Sequence, residues 1–115
     1  MDIQTKRIYE KAANRDGTRV LVDRVWPRGV SKEDAKLNEW MKEIAPSEKL
    51  RKWFDHKEER FEEFSKKYKK ELEKHSNLVQ QLLDKAKDKR LTLLFGAKDE
   101  AHNQAIVLKE YLDNQ

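Results

Sequence analysis

Apolar positions along the chain change period several times, and each change marks a predicted element. Ile3 to Tyr9 has a weak strand pattern. Asn14-Arg15-Asp16-Gly17 then makes a turn in which Gly17 can take a positive φ at no steric cost. Thr18 to Val25 is a second strand, apolar until it meets Asp23 and Arg24. A connector of about eight residues is too short for the helix of an ordinary parallel crossover, which needs about a dozen or more. The two strands are therefore either antiparallel neighbours or parallel strands joined in an unusual way.

Ser31 followed by Asp34 resembles a capping box, ahead of Leu37, Trp40, Met41 and Ile44 at helical spacing, and predicts a first helix there. Ala45-Pro46-Ser47 ends it, and Ser47 with Glu48 opens a short helical turn carrying Leu50, Trp53 and Phe54, closed by His56. From Glu58 to about Lys74, Phe61, Phe64, Tyr68 and Leu72 mark one face of a long helix whose other faces are solvated Lys and Glu. After His75-Ser76-Asn77 the spacing restarts at Leu78, Val79, Leu82, Leu83 and Ala86, and Lys-rich residues suit that helix's C-terminus. Leu91 to Phe95 is a nearly continuous apolar run, as expected of a strand covered on both faces. Asp99 is expected to cap a last helix with the buried stripe Ala101, Ala105, Leu108 and Leu112. Trp40 and Trp53 read as core, and His75 as a surface helix breaker. The sum is one small α/β domain over residues 1–115: a short, mainly parallel or mixed sheet of about three strands packed with four to five helices.

Charged residues make up 42 % of the chain, which alone would suggest disorder, but the three Trp, three Tyr and four Phe recur at regular spacings among them. A chain of this length buries about two thirds of its unfolded surface and keeps one core without staples. The absence of cysteine excludes disulfides, thiolate metal sites and thiol nucleophiles. No apolar run approaches the roughly 18 residues of a membrane span, and Met1 to Lys6 lacks the apolar stretch of a signal peptide, so the cytoplasm is expected.

The net charge of +4 is unevenly placed: residues 1–32 hold eight basic and four acidic residues, and the remainder holds eighteen of each. The whole excess thus lies in the segment containing Val20-Leu-Val-Asp-Arg-Val-Trp-Pro-Arg-Gly29, an apolar strand running into an acid, two arginines and a Pro/Gly stop. A local excess favours an anion site over a broad nucleic-acid face, whose affinity scales with the number of phosphates neutralised. In open α/β sheets ligands gather beyond the carboxyl ends of strands.

Both clear strands end alike. After the first come Asp23, Arg24, Arg28 and Lys32, and after the second come Lys98, Asp99, His102 and Asn103. If the strands run side by side in the same sense, the two sets meet at one edge of the sheet. Arginine's planar fork fits carboxylate or phosphate bidentately, and a helix start adds free N–H groups for the same anion. Asp23 can serve as a base or orienting group, or hold Arg24 or Arg28 in a buried ion pair. His102 can carry protons beside Asp99, or be a polar residue at a helix start. Trp26 can stack on a planar ligand or pack at the rim. His56, next to Asp55, can orient a ligand or cap a short helix. The candidate catalytic set is therefore Asp23, His102 and Asp99, and the ligand-binding set Arg24, Trp26, Arg28, Lys32, His56, Lys98 and Asn103.

No Walker loop, Gly-x-Gly-x-x-Gly, Gly-x-Ser-x-Gly or His-Glu-x-x-His is present, so nucleoside-triphosphate, dinucleotide, esterase and zinc-protease readings fall away. No cofactor is implied. Three dispersed histidines without cysteine give no metal-ligand pattern either.

The run Val22-Asp-Arg-Val-Trp-Pro-Arg-Gly-Val-Ser-Lys32 resembles the YeaO-like (DUF488) family of small bacterial proteins of unknown function. So do Ala45-Pro46-Ser47, Leu50-Arg51-Lys52-Trp53-Phe54 with His56, then Phe64, Tyr68 and Glu71-Leu72. Thr92-Leu93-Leu94, Ala97-Lys98-Asp99 and His102-Asn103-Gln104-Ala105 complete the resemblance, which covers almost the whole chain. It implies an α/β domain and no established activity. Longer members of the wider group carry a cysteine at the end of the last strand and a Cys-His pair at the next helix. Phe95 and His102-Asn103 stand there in this chain, so no thiol or cysteine-metal role carries over.

Three functions follow as expectations. The first is an enzyme or binder of a small anionic metabolite, a phosphate or carboxylate, at the strand ends. The second is a nucleic-acid binder using the basic N-terminal segment with Trp26 as a stacking platform. The third is a non-catalytic interaction module in which the Asp/Arg cluster is an internal ion-pair network. Catalysis and oligomeric state stay open at this level.

Overall fold

In the computed structural model, which describes residues 1–115, four strands form one sheet: β1 (Ile3–Arg7), β2 (Thr18–Leu21), β3 (Glu39–Trp40) and β4 (Leu91–Phe95). Their order is β1-β4-β2-β3 and every pair is parallel. β4 is the hub, in register with β1 from Ile3↔Leu91 to Arg7↔Phe95 and with β2 from Thr18↔Leu91 to Leu21↔Leu94. All five of its residues are buried, which is why its sequence is apolar throughout rather than alternating. Five helices complete the fold: α1 (Lys32–Ala35), α2 (Glu48–Phe54), α3 (Phe61–Glu73), α4 (Ser76–Asp88) and α5 (Gln104–Asp113). None is long and apolar enough to cross a membrane.

Strand alternation divides the buried side chains between two faces. Ile3, Val20, Val22, Leu91, Leu93 and Phe95 meet Leu50, Phe54, Phe64, Tyr68, Leu82 and Leu108 from the helices in the main core. On the other face Leu21 and Leu94 join Ile8 and Ala35 in a smaller cluster, roofed by Trp26, Val30, Leu37 and Trp40. That thin side carries a buried ion pair. Asp16 binds Arg19 Nη1 at 2.6 Å and Lys6 Nζ at 3.0 Å, and accepts the N–H of Ala13. Arg19 spends its remaining donors on the carbonyls of Ala35 and Lys36, which end α1 and would otherwise lack partners.

The β1–β2 connection is the unusual parallel one, with β4 lying between the two strands. Residues 8–17 cross the thin face with only a single helical turn at Asn14–Asp16. An extended chain covers about 3.3 Å per residue against 1.5 Å in a helix, so a short segment can return to the start of the sheet without a packed helix. Gly17 makes the final corner at φ +66°, where a Cβ would lie 2.2 Å from the Arg90 carbonyl oxygen.

Four expectations are corrected. The helix read from Leu37, Trp40, Met41 and Ile44 stops after one turn at Ala35, although Ser31 does cap it through the Asp34 N–H. Lys36 turns left-handed at φ 47°, and Asn38 then trades hydrogen bonds with the Arg19 backbone, so that Glu39 and Trp40 join the sheet as β3. Pairing with β2 overrides the helical spacing. Asp99 is not the cap of the last helix: Asn103 is, accepting the Ile106 N–H, and Ala101 is exposed ahead of it. The sheet has four strands rather than about three, and β2 leaves its ladder after Val22, short of Val25.

Burial pushes the Asp16 carboxyl up, but the Ala13 N–H, Lys6 and Arg19 outweigh it and hold it below its ordinary value. A depressed carboxyl stabilises the fold above the unfolded-state pKa, and that contribution disappears as pH falls through the folded-state value. Replacing Asp16 by Asn should therefore cost about 3 kcal/mol or more in urea unfolding at neutral pH. The gap between variant and wild type should narrow once the pH drops below about 4.

Candidate functional site

Beyond the C-terminal ends of β2 and β4 the chain opens a cleft of about 320 Å³. Asp23 builds its floor. The β2 segment delivers this residue one position after Val22, whose N–H still bonds the Leu94 carbonyl at 3.0 Å. Asp23 Oδ2 accepts the Gly96 N–H at 2.9 Å, and Oδ1 accepts the Gln104 side-chain amide. One carboxylate thus ties the end of β2 to the end of β4 and to the first residue of α5. Glycine at position 96 eases this approach, because a Cβ there would stand 3.0 Å from Asp23 Oδ2 and 3.4 Å from Pro27 and would push the carboxylate back.

Trp26 and Pro27 line the cleft from the β2 side, and Ala45, Pro46, Phe54 and Phe64 from the helical side. Trp26 is held by its indole N–H on the Val30 carbonyl at 2.7 Å and by edge-on packing with Trp40. Phe54 and Phe64 stack with centroids 4.2 Å apart. Arg24, Arg28, Arg51 and His56 bring positive or protonatable groups to the same cleft. Arg24 donates to the carbonyls of Pro46 at 2.9 Å and Ala45 at 3.2 Å, which fixes the entry into α2. Arg28 and Arg51 are exposed, and neither pairs with a carboxylate. His56 sits at the rim on a strained corner, since both it and Asp55 have positive φ, 54° and 48°.

Of the residues singled out from the sequence, Asp23, Arg24, Trp26, Arg28 and His56 line this cleft. The rest of that set stands apart. Lys32 opens α1 as an exposed residue, and Lys98 is exposed in the turn after β4. Asp99 folds that turn by accepting the N–H groups of Ala101 and His102, the Ala101 bond first in holding its carboxyl below the ordinary value. His102 lies between Asp99 (2.9 Å from Nδ1) and Glu58 (3.2 Å from Nε2), edge-on to Phe61. Asn103 is buried as the α5 cap and also donates to the Asp99 carbonyl. No group of His, Asp and Glu side chains is arranged to hold a metal ion.

Arg51, Gln104, Tyr9 and Gly96 were not singled out from the sequence, yet all line the cleft. Arg51 and Gln104 fall inside blocks that carry the family resemblance, which was the available signal. Tyr9 had none: it reaches the site by its hydroxyl on the Arg28 carbonyl at 2.8 Å and by the Arg7 guanidinium over its ring.

The Asp23 carboxyl makes no ion pair. Burial drives its pKa up to about 6, against the opposing pull of the Gly96 N–H and the Gln104 amide. The two arginines nearest in sequence do not neutralise it, so the internal Asp/Arg ion pair of this fold is Asp16–Arg19 instead.

The family model described as "Inactive DUF488-N3 subclade" matches residues 2–115. Among curated proteins, the chain is 46% identical over 112 residues to the Escherichia coli K12 "Uncharacterized protein YeaO", covering 97% of each. It is 44% identical over 78 residues to the Mycobacterium tuberculosis H37Rv "Uncharacterized protein Rv3073c", covering 68% of this chain and 66% of that one. The Mycobacterium bovis "Uncharacterized protein Mb3100c" matches to the same extent. No solved structure gives a significant match.

A carboxyl raised from 3.8 to about 6 in the folded state opposes folding when ionised, at a cost of about 3 kcal/mol well above pH 6. That cost fades as pH falls through 6 and is gone below the unfolded-state value. Between pH 4 and pH 8 Asp23→Asn should therefore gain up to about 3 kcal/mol relative to wild type, on a pH-independent offset set by the Gly96 or Gln104 donor that a single amide oxygen leaves without an acceptor. Urea melts of both proteins across that range read it directly. A stability difference that does not change with pH would show that Asp23 titrates normally.

Proposed function

The chain belongs to the inactive DUF488-N3 subclade, and from that premise we propose that it binds a small anionic molecule, a phosphate or carboxylate, in the cleft without transforming it. One observation carries this reading: Arg28 and Arg51 stand exposed and without acidic partners on a concave, partly apolar site at the carboxyl edge of a parallel sheet. Unpaired guanidinium groups offer planar forks of donors that match a carboxylate or phosphate. Arg24 adds positive charge behind them, and its own donors are already directed at the Ala45 and Pro46 carbonyls. His56 stands at the rim, and Trp26 with Pro27 forms a wall for the apolar part of the ligand.

The reading as a binder rests on the family's description as inactive, and the lining offers acid–base groups but no hydroxyl or amine nucleophile outside Tyr9. The polar groups there are arginines, amide, carboxyl, phenol and imidazole, and the lining contains no serine, threonine or lysine. The floor carboxyl makes binding sensitive to pH. An anion held near ionised Asp23 is repelled by it, so anion affinity should rise as pH falls through about 6.

Thermal unfolding in the presence of inorganic phosphate, caproate and benzoate tests the proposal. At least one should raise the melting temperature saturably, with a stabilisation of about 2.7 kcal/mol at a concentration of 100 times its dissociation constant. The Arg28→Ala/Arg51→Ala double variant should lose that response while melting normally without ligand. An equal response in the double variant, or no response to any of the anions, would rule the site out.

A further inference from the structure

Asp23 gives the cleft a second pole. Its carboxylate lies at the floor, tied to the Gly96 N–H at 2.9 Å and to the Gln104 amide, with no cation in contact. An ionised carboxyl offers about four lone-pair directions, and these two donors use only part of that capacity. Arg24, the adjacent residue, is turned away onto the Ala45 and Pro46 carbonyls, and Arg28 and Arg51 are exposed without carboxylate partners. The cleft thus holds a carboxyl and guanidinium groups that form no ion pair with one another. Elsewhere in this chain a buried acid is handled differently: Asp16 takes Arg19 at 2.6 Å and Lys6 at 3.0 Å. Trp26, Pro27, Phe54 and Phe64 give the same cleft an apolar lining.

We infer that the cleft recognises a bipolar ligand, with a protonated amine held by Asp23 at the floor, an anionic group held by Arg28 and Arg51, and an apolar or planar body between. The inference rests on the anion reading above and adds the charge at the ligand's other end. An ammonium group supplies three donors to a carboxylate that has unused acceptor directions, and supplies the positive charge that the buried site lacks. The Gln104 amide oxygen is a second acceptor beside it once its NH2 is committed to Asp23. A ligand carrying only an anion would leave Asp23 unpaired and repelling it. A ligand carrying only an amine would leave the arginines unused.

Isothermal titration at pH 7.5 with matched probes tests this directly: ε-aminocaproate against caproate and hexylamine, and p-(aminomethyl)benzoate against benzoate and benzylamine. The two series differ in length and rigidity, so the better one also reports the spacing of the poles. In the wild-type protein at least one bipolar probe should bind about tenfold or more tightly than its anionic counterpart, as expected of one added charge-assisted hydrogen-bonded contact. In Asp23→Asn, its folding checked by the same urea melts, that advantage should fall to within about threefold while the simple anion binds as well or better. Anions binding with no gain from the amine in the wild type would overturn the bipolar inference and leave the anion site standing. Hexylamine or benzylamine binding as tightly as the bipolar probes would overturn both readings, as would no binding by any probe. An amine advantage that persists in Asp23→Asn would show that the amine is held elsewhere.

Discussion

The pairing of β4 along both of its edges is the constraint on which the rest of this structure depends. β1 and β2 do not pair with each other; each is hydrogen-bonded to Leu91–Phe95, and β2 carries β3 on its other edge. A parallel strand paired on both edges and packed on both faces has no solvated side, so its sequence must be apolar and its ends are the only places where polar chemistry can begin. The C-terminal end of this hub becomes Gly96 and Ala97, which line the cleft. Its N-terminal half carries Thr92, whose hydroxyl donates to the Asp16 carbonyl at 2.6 Å and accepts from Gln4 at 2.8 Å. Polar groups on the thin face are consequently tied to one another, and those at the C-terminal edge are left facing a cavity.

The placement of the cleft follows from the hub through Asp23. Where β2 leaves the ladder after Val22, the next side chain reaches across to the backbone of Gly96, and this bond brings the β2 loop against the β4 loop. The contact is close enough that a side chain at Gly96 would crowd the carboxylate. Glu71 does a comparable task at the opposite wall, accepting both the N–H and the hydroxyl of Ser47 at 2.8 and 2.6 Å and so seating the start of α2 on α3. Tyr68 adds a hydroxyl bond to the Ile44 carbonyl. Buried acceptors and donors of this kind are worth most when fully satisfied, and no buried side-chain polar atom in this chain lacks a partner.

Local sequence pattern made legible the elements that bury their own stripe. Phe61, Phe64, Tyr68 and Leu72 mark α3 and Leu91 to Phe95 marks β4, because periodicity and packing agree there. It misled where a long-range pairing decided the backbone. Leu37, Trp40, Met41 and Ile44 have helical spacing, yet Asn38 is captured by the edge of β2 and the segment extends. The same division holds for the site. Asp23 and Arg28 announced themselves as polar residues terminating an apolar strand, and the cleft is where they stand. Arg51 and Tyr9 carry no such mark, since an arginine on a charged helix and a tyrosine after an edge strand look like ordinary surface until the fold brings them together. Asp99 and His102 show the converse: their spacing is suggestive, but Asn103 takes the cap, Asp99 folds the turn before it, and His102 lies against Glu58 and Phe61 outside the cleft.

Asp16 and Asp23 separate structure from function more sharply than any motif does. Both are carboxyls held near the ends of the same strand by backbone N–H groups, and burial raises the pKa of each. At Asp16 the chain supplies Lys6 and Arg19, and the carboxyl ends below its ordinary value, so its charge stabilises the fold. At Asp23 the chain supplies only two neutral donors although arginines stand in the same cleft, and the carboxyl rises to about 6, so its charge opposes folding. A group that costs stability in the free protein and lines a cavity is a candidate functional group, because a bound cation would offset that cost. That contrast is why we propose Asp23, and not the Asp16 network, as the partner for a ligand's positive end, and it makes the pH profile of the Asp23→Asn variant bear on the site as well as on the fold.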